Sequence, residues 1–274
     1  MAGMAALRSG AGLVRLAIPE KILDSVAAFD PCYTTLPMSC DCLGRLSLDA
    51  EPELAVATRS ATAIAIGPGL SQTPSLFELV ARMYSGVPKP LVVDADALNC
   101  LARVESESLT MEILTIPEGP RILTPHPGEF ARLIGHGKHS VPAKLSREQM
   151  VPIAVEKACE WKSIVVLKGA GTLVTDGVRQ YINPTGNPGM ATGGSGDVLT
   201  GVIVSLLAQG LDAYDAAVLG VYLHGLAGDL AAQRVGEYGM VATDIIAAIP
   251  EAFRHHQARC RESGEWGSRW SFCR

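Results

Sequence analysis

Aromatic residues are scarce in this chain, 5% of 274, and 23 Lys and Arg against 28 Asp and Glu leave a net charge of −5. With neither a basic face nor a stacking platform, nucleic acid is not an expected partner, and small molecules are. Long apolar runs are missing as well. No uninterrupted stretch reaches the roughly 18 residues that suggest a membrane span, and the N-terminus lacks the h-region and cleavage site of a signal peptide. No membrane partner is therefore expected. The seven cysteines (Cys32, Cys40, Cys42, Cys100, Cys159, Cys260 and Cys273) lack an even count and regular spacing. Cys40 and Cys42 have no second Cys/His pair at zinc-like separation. Reduced thiols in a cytoplasmic protein are the expectation. The spacing GxxxxGK[ST] is absent, which excludes a P-loop enzyme.

What is present is apolar content of 48%, enough in 274 residues for one large core. Short apolar runs end in Gly, Pro or Asp and are followed by helical patterns: LVRLAI (13–18), AIAI (63–66), PLVVDA (90–95), RILT (121–124) and IVVLKG (164–169). That alternation predicts an α/β fold with a mostly parallel central sheet and helices on both faces. In TLVTDGVRQYIN (172–183), Asp176-Gly177 predicts a tight hairpin. From Asp197 onward the pattern is helical: one helix ends at Gly210, another runs 215–236, and a third starts with Thr243 or Asp244 as N-cap. Residues 30–60 and 135–147 read as loops. No repeat or low-complexity linker divides the chain, so a single domain over 1–258 is expected, with 259–274 a disordered polar tail.

In open parallel sheets ligands bind outside the carboxyl ends of the strands, and the unusual residues of this chain fall there. GPGL (67–70) follows AIAI, DADALN (94–99) follows LVV, TPHPGE (124–129) follows RIL, and KGAGT (168–172) follows VVL. Each carries two readings. Gly67, Pro68 and Gly69 turn the chain or let backbone pass close to a ligand. Asp94 and Asp96 cap a helix or hold a hydrated magnesium. His126 is a rigid turn residue or, with Glu129, orients a polar substrate. Lys168 is surface charge or a phosphate ligand. The strongest stretch is NPGMATGGSGDVLTG (187–201), where Gly193, Gly194 and Gly196 surround Ser195 and open a helix. Glycines at a helix N-terminus make a cradle of N–H donors for an anion. Asp197 inside that cradle would repel an anion unless it caps the helix or serves chemistry. In phosphoryl transfer the donors stabilise the moving charge, and a carboxylate takes the proton of the attacking hydroxyl.

The order GAGLV, GPGL, VVDADAL, TPHPGE, KGAGT, N-x-GMATGG-x-GDVL and YLHGLAGD resembles the ADP-dependent NAD(P)H-hydrate dehydratases of the ribokinase-like fold, a three-layer sandwich. The resemblance spans roughly residues 5–250. A bare GxGD is shared with sugar, pyridoxal and hydroxyethylthiazole kinases, whereas TPHPGE with GMATGGSGDVLTG is more specific. The resemblance implies repair of NADH or NADPH hydrated on its nicotinamide ring. A phosphoryl group passes to the ring hydroxyl, and phosphate is then eliminated. ADP is the implied donor, with ATP as alternative, and AMP is released. It also implies that Asp197 deprotonates the hydroxyl while Gly194, Ser195 and Gly196 stabilise the phosphoryl charge. Lys168, Gly169, Ala170, Gly171, Thr172, Asn187 and Gly196 would bind the adenine nucleotide, with Asn187 at the start of its loop, and Gly69, His126 and Asp197 would contact the hydrated cofactor. Magnesium is implied with the nucleotide, Asp94 and Glu129 being its candidate ligands, and relatives imply a homo-oligomer. Family members carry an N-terminal strand and a GS-x-G-x-x-GA turn before GAGLV. This chain begins within the following helix, so that segment is expected to be missing. A small-molecule alcohol kinase and a catalytically silent nucleotide binder are the alternatives.

Overall fold

A computed structural model describes residues 1–103, 114, 117–135 and 145–262. Helix α1 (Ala2–Arg8) leads into strand β1 (Arg15–Pro19), short helix α2 (Leu23–Ala27), β2 (Thr34–Met38) and α3 (Glu51–Arg59). Then β3 (Ile64–Ile66), α4 (Pro74–Gly86), β4 (Leu91–Val93), α5 (Ala95–Leu101), β5 (Arg121–Leu123) and α6 (Pro127–Ile134) alternate strictly. They are followed by α7 (Arg147–Glu160), β6 (Ile164–Leu167), β7 (Leu173–Thr175), β8 (Gln180–Ile182), α8 (Ser195–Ala208), α9 (Ala213–Val235) and α10 (Ala242–Glu262).

The strands from β3 to β8 form one six-stranded sheet in chain order, parallel from β3 to β6 and antiparallel through β7 and β8. Alternation along each strand divides the core. Val92, Ile122, Val166 and Val174 pack with α1, α8, α9 and α10 on one face. Leu91, Val93, Leu123, Val165, Leu167 and Leu173 pack with α4 to α7 on the other. Both faces are covered, which is why these strands read as unbroken apolar runs.

Local signals set the helix ends. Thr73 caps α4 through Leu76 N–H, and Ser146 with Gln149 forms a capping box on α7. Asp212 caps α9 by accepting from Tyr214 N–H. Helix α10 starts at Ala242, ahead of the expected caps. Asp244 acts from inside its first turn, accepting from Val241 N–H at 2.9 Å.

The 30–60 region is a correction: it holds β2 and α3, not a loop. Strand β2 pairs in parallel with β1 as a separate two-stranded sheet. The hairpin between β7 and β8 exists, but its turn spans 176–179, because Thr175 pairs with Gln180. Asp176 Oδ1 organises it by accepting from the Val178 and Arg179 N–H groups. Helix α10 continues to Glu262, four residues into the expected polar tail; residues 263–274 and 136–144 lie outside the described residues.

Candidate active site

Because β3, β4, β5 and β6 run in parallel, GPGL, DADALN, TPHPGE and KGAGT all leave the sheet at one edge. The N-terminus of α8 joins them there. Gly194 takes the N-cap position with φ of 87°, a left-handed conformation that an L side chain resists. Having no side chain, it leaves the first N–H groups of α8 to other acceptors. At Gly196 an added Cβ would sit 3.3 Å from Lys168 Nζ, so the missing side chain lets the ammonium approach the helix end.

Lys168 follows the last residue of β6, and its Nζ lies 2.7 Å from Asp94 Oδ1 and 3.8 Å from Glu129 Oε2. Asp94 is 1% exposed, and its second oxygen accepts from Thr200 Oγ1 of α8 at 2.8 Å. Although Asp94 stands at the N-cap position of α5, its side chain caps nothing there. Asp96 instead ties down the GPGL loop, accepting from Ser71 N–H and Gln72 Nε2, both at 2.8 Å. Gly67 is needed for packing: an added Cβ would overlap the Asp94 carbonyl oxygen, and its φ is 127°. Gly69, with φ of 68°, faces open space.

His126 fulfils the turn reading completely. Its Nδ1 accepts from Gly128 and Glu129 N–H groups at 3.0 and 3.3 Å, while Glu129 Oε2 accepts from the His126 N–H at 2.8 Å. These bonds assign the neutral tautomer with the proton on Nε2, which then meets Glu129 Oε1 at 3.2 Å. Partial burial holds its pKa below the usual value despite Glu129. The ring edge remains half exposed at the site.

Asp197 sits in the first turn of α8, partly buried, with no hydrogen bond or ion pair to its carboxylate among the described residues. Burial raises its pKa, and the charge of Asp94 adds to the rise, against the N-terminal amino group and Lys168. That leaves a carboxylate unusually ready to accept a proton. Beneath it, Ser195 Oγ is 3.4 Å from Nε2 of His224 on α9, a histidine that burial lowers to about 4 and so keeps neutral.

The structure thus gathers Asp94, Glu129, His126, Lys168 and Gly196 into one cluster and sets Asp197 beside it. KGAGT forms a loop in which Thr172 Oγ1 donates to the Gly169 carbonyl. Arg147 clamps that loop, donating to the Lys168, Leu167 and Gly171 carbonyls. Asn187 is engaged elsewhere, accepting from Gly189 N–H and donating to Asp229 of α9. Arg147 and Thr200 were invisible in the sequence. Asp229 and His224 fall inside YLHGLAGD but carried no signal of their contacts.

A family profile described as NAD(P)H-hydrate dehydratase matches residues 1–251. The chain belongs to that family. It is similar to the bifunctional NAD(P)H-hydrate repair enzyme Nnr of Moorella thermoacetica, 45% identical over 93% of this chain and 46% of that protein. The chain therefore spans about half the length of such relatives. Among solved structures it is similar to the Bacillus subtilis ADP/ATP-dependent NAD(P)H-hydrate dehydratase co-crystallised with ATP/Mg2+, with a TM-score of 0.73, 30% identity, and coverage of 93% and 85% of the two chains. A ribokinase-like protein of Enterococcus faecalis superposes with a TM-score of 0.74 at 25% identity, covering 93% and 81%. The dehydratase family is thus built on the ribokinase-like α/β sandwich seen in this chain. In that setting the cluster at the sheet edge becomes the candidate active site.

Proposed function

We propose that this chain catalyses the nucleotide-dependent dehydration of hydrated NADH or NADPH. The observation that carries the reading is the unpaired carboxylate of Asp197 in the first turn of α8, beside Lys168 and above a glycine-opened helix end. Asp197 takes the proton of the ring hydroxyl as its oxygen attacks the terminal phosphoryl group of the nucleotide. The N–H groups of Gly194, Ser195 and Gly196, with Lys168, stabilise the charge on the moving phosphoryl. Phosphorylation turns hydroxide into a good leaving group, the ring nitrogen lone pair assists the departure of phosphate, and loss of a proton from the neighbouring ring carbon restores the double bond. Lys168 to Thr172 bind the nucleotide; Gly69 and His126 face the hydrated nicotinamide. ADP is the proposed donor, and ATP can take its place.

Magnesium fits this site in a restricted way. Both Asp94 oxygens and both Glu129 oxygens already face protein donors, and the described residues contain no cluster of three potential ligands. Magnesium keeps several waters and is commonly held through phosphates with one or two carboxylates. Asp94 and Glu129 would hold it through water, and the ion would supply neutralisation of the phosphate charge. The six described cysteines are all free thiols, which supports a cytoplasmic setting, and no described helix is long and apolar enough to cross a membrane. We also propose a homo-oligomer, supported by the edge of β3, which pairs with no strand other than β4 among the described residues.

The deciding experiment follows the reduced-nicotinamide absorbance near 340 nm with hydrated NADH, magnesium and ADP, then ATP. Recovery of the band with release of phosphate, and of AMP from ADP or ADP from ATP, is the expected result. A stable phosphorylated product would indicate a kinase, and nucleotide binding without turnover a silent binder.

A further inference from the structure

The stretch YLHGLAGD on α9 has no part in the chemistry above beyond the contact of His224. Yet one face of it is fitted to the chain that leads into the cradle. Gly225 and Gly228, three residues apart, leave room for that chain, since a Cβ at Gly225 would strike Thr185 and one at Gly228 would strike Met190. Thr185 Oγ1 donates to the Tyr222 carbonyl at 2.9 Å, and Asn183 Nδ2 to the Val221 carbonyl at 3.3 Å. The last residue of the stretch, Asp229, uses both carboxylate oxygens: one accepts from Gly186 N–H at 2.9 Å, the other from Asn187 Nδ2 at 3.0 Å. Asn187 Oδ1 in turn accepts from Gly189 N–H at 3.1 Å, closing the turn Pro188–Met190 just before the glycines.

We propose that Asp229 and Asn187 are a positioning pair that fastens the 184–190 loop to α9 and so holds the cradle ready for an adenine nucleotide. The proposal rests on the reading of the cradle as a nucleotide site. Asp229 pairs with no lysine or arginine among the described residues, so its charge is directed at loop donors, where a charged acceptor makes the stronger bond. It is only partly buried, while the core face of α9 is built by Leu223, Ala227, Leu230 and Ala231. Losing the clamp therefore loosens the loop more than the core. Asn187 acts through the loop and not by touching the nucleotide.

The test uses Asp229→Asn and the exchanged pair Asn187→Asp/Asp229→Asn in the full chain. In the single variant the new amide presents a donor where an acceptor is required. In the exchanged pair, the carboxylate moved to position 187 can accept from Gly189 N–H and from the amide moved to position 229, whose oxygen can accept from Gly186 N–H. Hydrogen exchange of residues 183–194, measured without nucleotide, and equilibrium titration with ADP and ATP are the readouts. Asp229→Asn is expected to speed exchange of Gly186 and Gly189 and to weaken nucleotide binding about tenfold, with little change in Tm. The exchanged pair is expected to recover the protection. Unchanged loop exchange in Asp229→Asn, a weakening matched by global loss of protection, or no recovery in the exchanged pair would each overturn the proposal. If the wild-type chain binds neither ADP nor ATP, the nucleotide reading fails, and with it the purpose assigned to the clamp; the exchange data still decide separately whether the clamp exists.

Discussion

In the proposed reaction Asp197 and Lys168 would carry opposite duties at one site, Lys168 acting on the Asp197 charge, and their substitutions should separate. Asp197→Asn keeps the shape and removes the base, so turnover should be abolished while nucleotide affinity is retained; a variant with near-native rate would remove the general-base role. Lys168→Ala should weaken nucleotide binding and also cost stability, because Asp94 is 1% exposed and loses its ion-pair partner. An uncompensated buried carboxylate is worth about 3 kcal/mol of destabilisation, checked by denaturant unfolding. His224 gives the pH dependence. Burial lowers its pKa from 6.5 to about 4, so below 6.5 the unfolded chain takes up a proton that the native chain refuses. Stability is then present above 6.5 and lost as pH falls towards 4, by about 2 kcal/mol at pH 5. His224→Gln should flatten this part of the unfolding profile; an identical pH slope in both proteins would show that the imidazole titrates freely.

Elements place these residues, and their legibility in the sequence followed their burial. Strands β4 to β6 are buried on both faces, and β3 packs through Ile64 and Ile66 on one; the Gly, Pro and Asp residues that end them mark their boundaries closely. The pair β1 and β2 lies apart from the main sheet, and Pro37 and the threonines of TTLPM break the apolar signal, so β2 escaped. The site divided in the same way. Glycines and charges at strand ends announced Lys168, Glu129 and Asp197, whereas Thr200 reaches Asp94 across 106 positions and no local pattern records that. Gly67 shows what a junction demands. Its left-handed φ and its closeness to the Asp94 carbonyl leave no room for a methyl group, so Gly67→Ala must shift the start of α5. A loss of more than about 2 kcal/mol is expected by thermal unfolding, with a parallel loss of nucleotide affinity because Asp94 moves with the backbone. An unchanged Tm would mean that the β3 to α4 loop yields freely.

At the scale of the whole molecule the two sheets do not join among the described residues. Strand β1 pairs only with β2, and β3 ends the large sheet, so each described sheet presents an unpaired edge. Between them runs an apolar groove of about 350 Å³, bordered by Leu16, Ile18, Leu36, Ile64, Ile66 and Leu79. None of Asp94, Lys168 or Asp197 lines it. The groove is thus separate from the candidate active site, although Gly67 of the GPGL turn both lines the groove and packs against Asp94. Contiguous apolar surface of this kind attracts apolar probes even in a folded protein. The native chain at neutral pH is therefore expected to enhance the fluorescence of anilinonaphthalene sulfonate, and saturating ADP should not displace the dye. Leu16→Asp, which places a charge on the β1 wall, should reduce the enhancement without altering nucleotide affinity. Absence of enhancement in the native chain would mean that the groove is closed in solution, by collapse of the two sheets onto each other or by a second copy of the chain, and sedimentation would tell these apart.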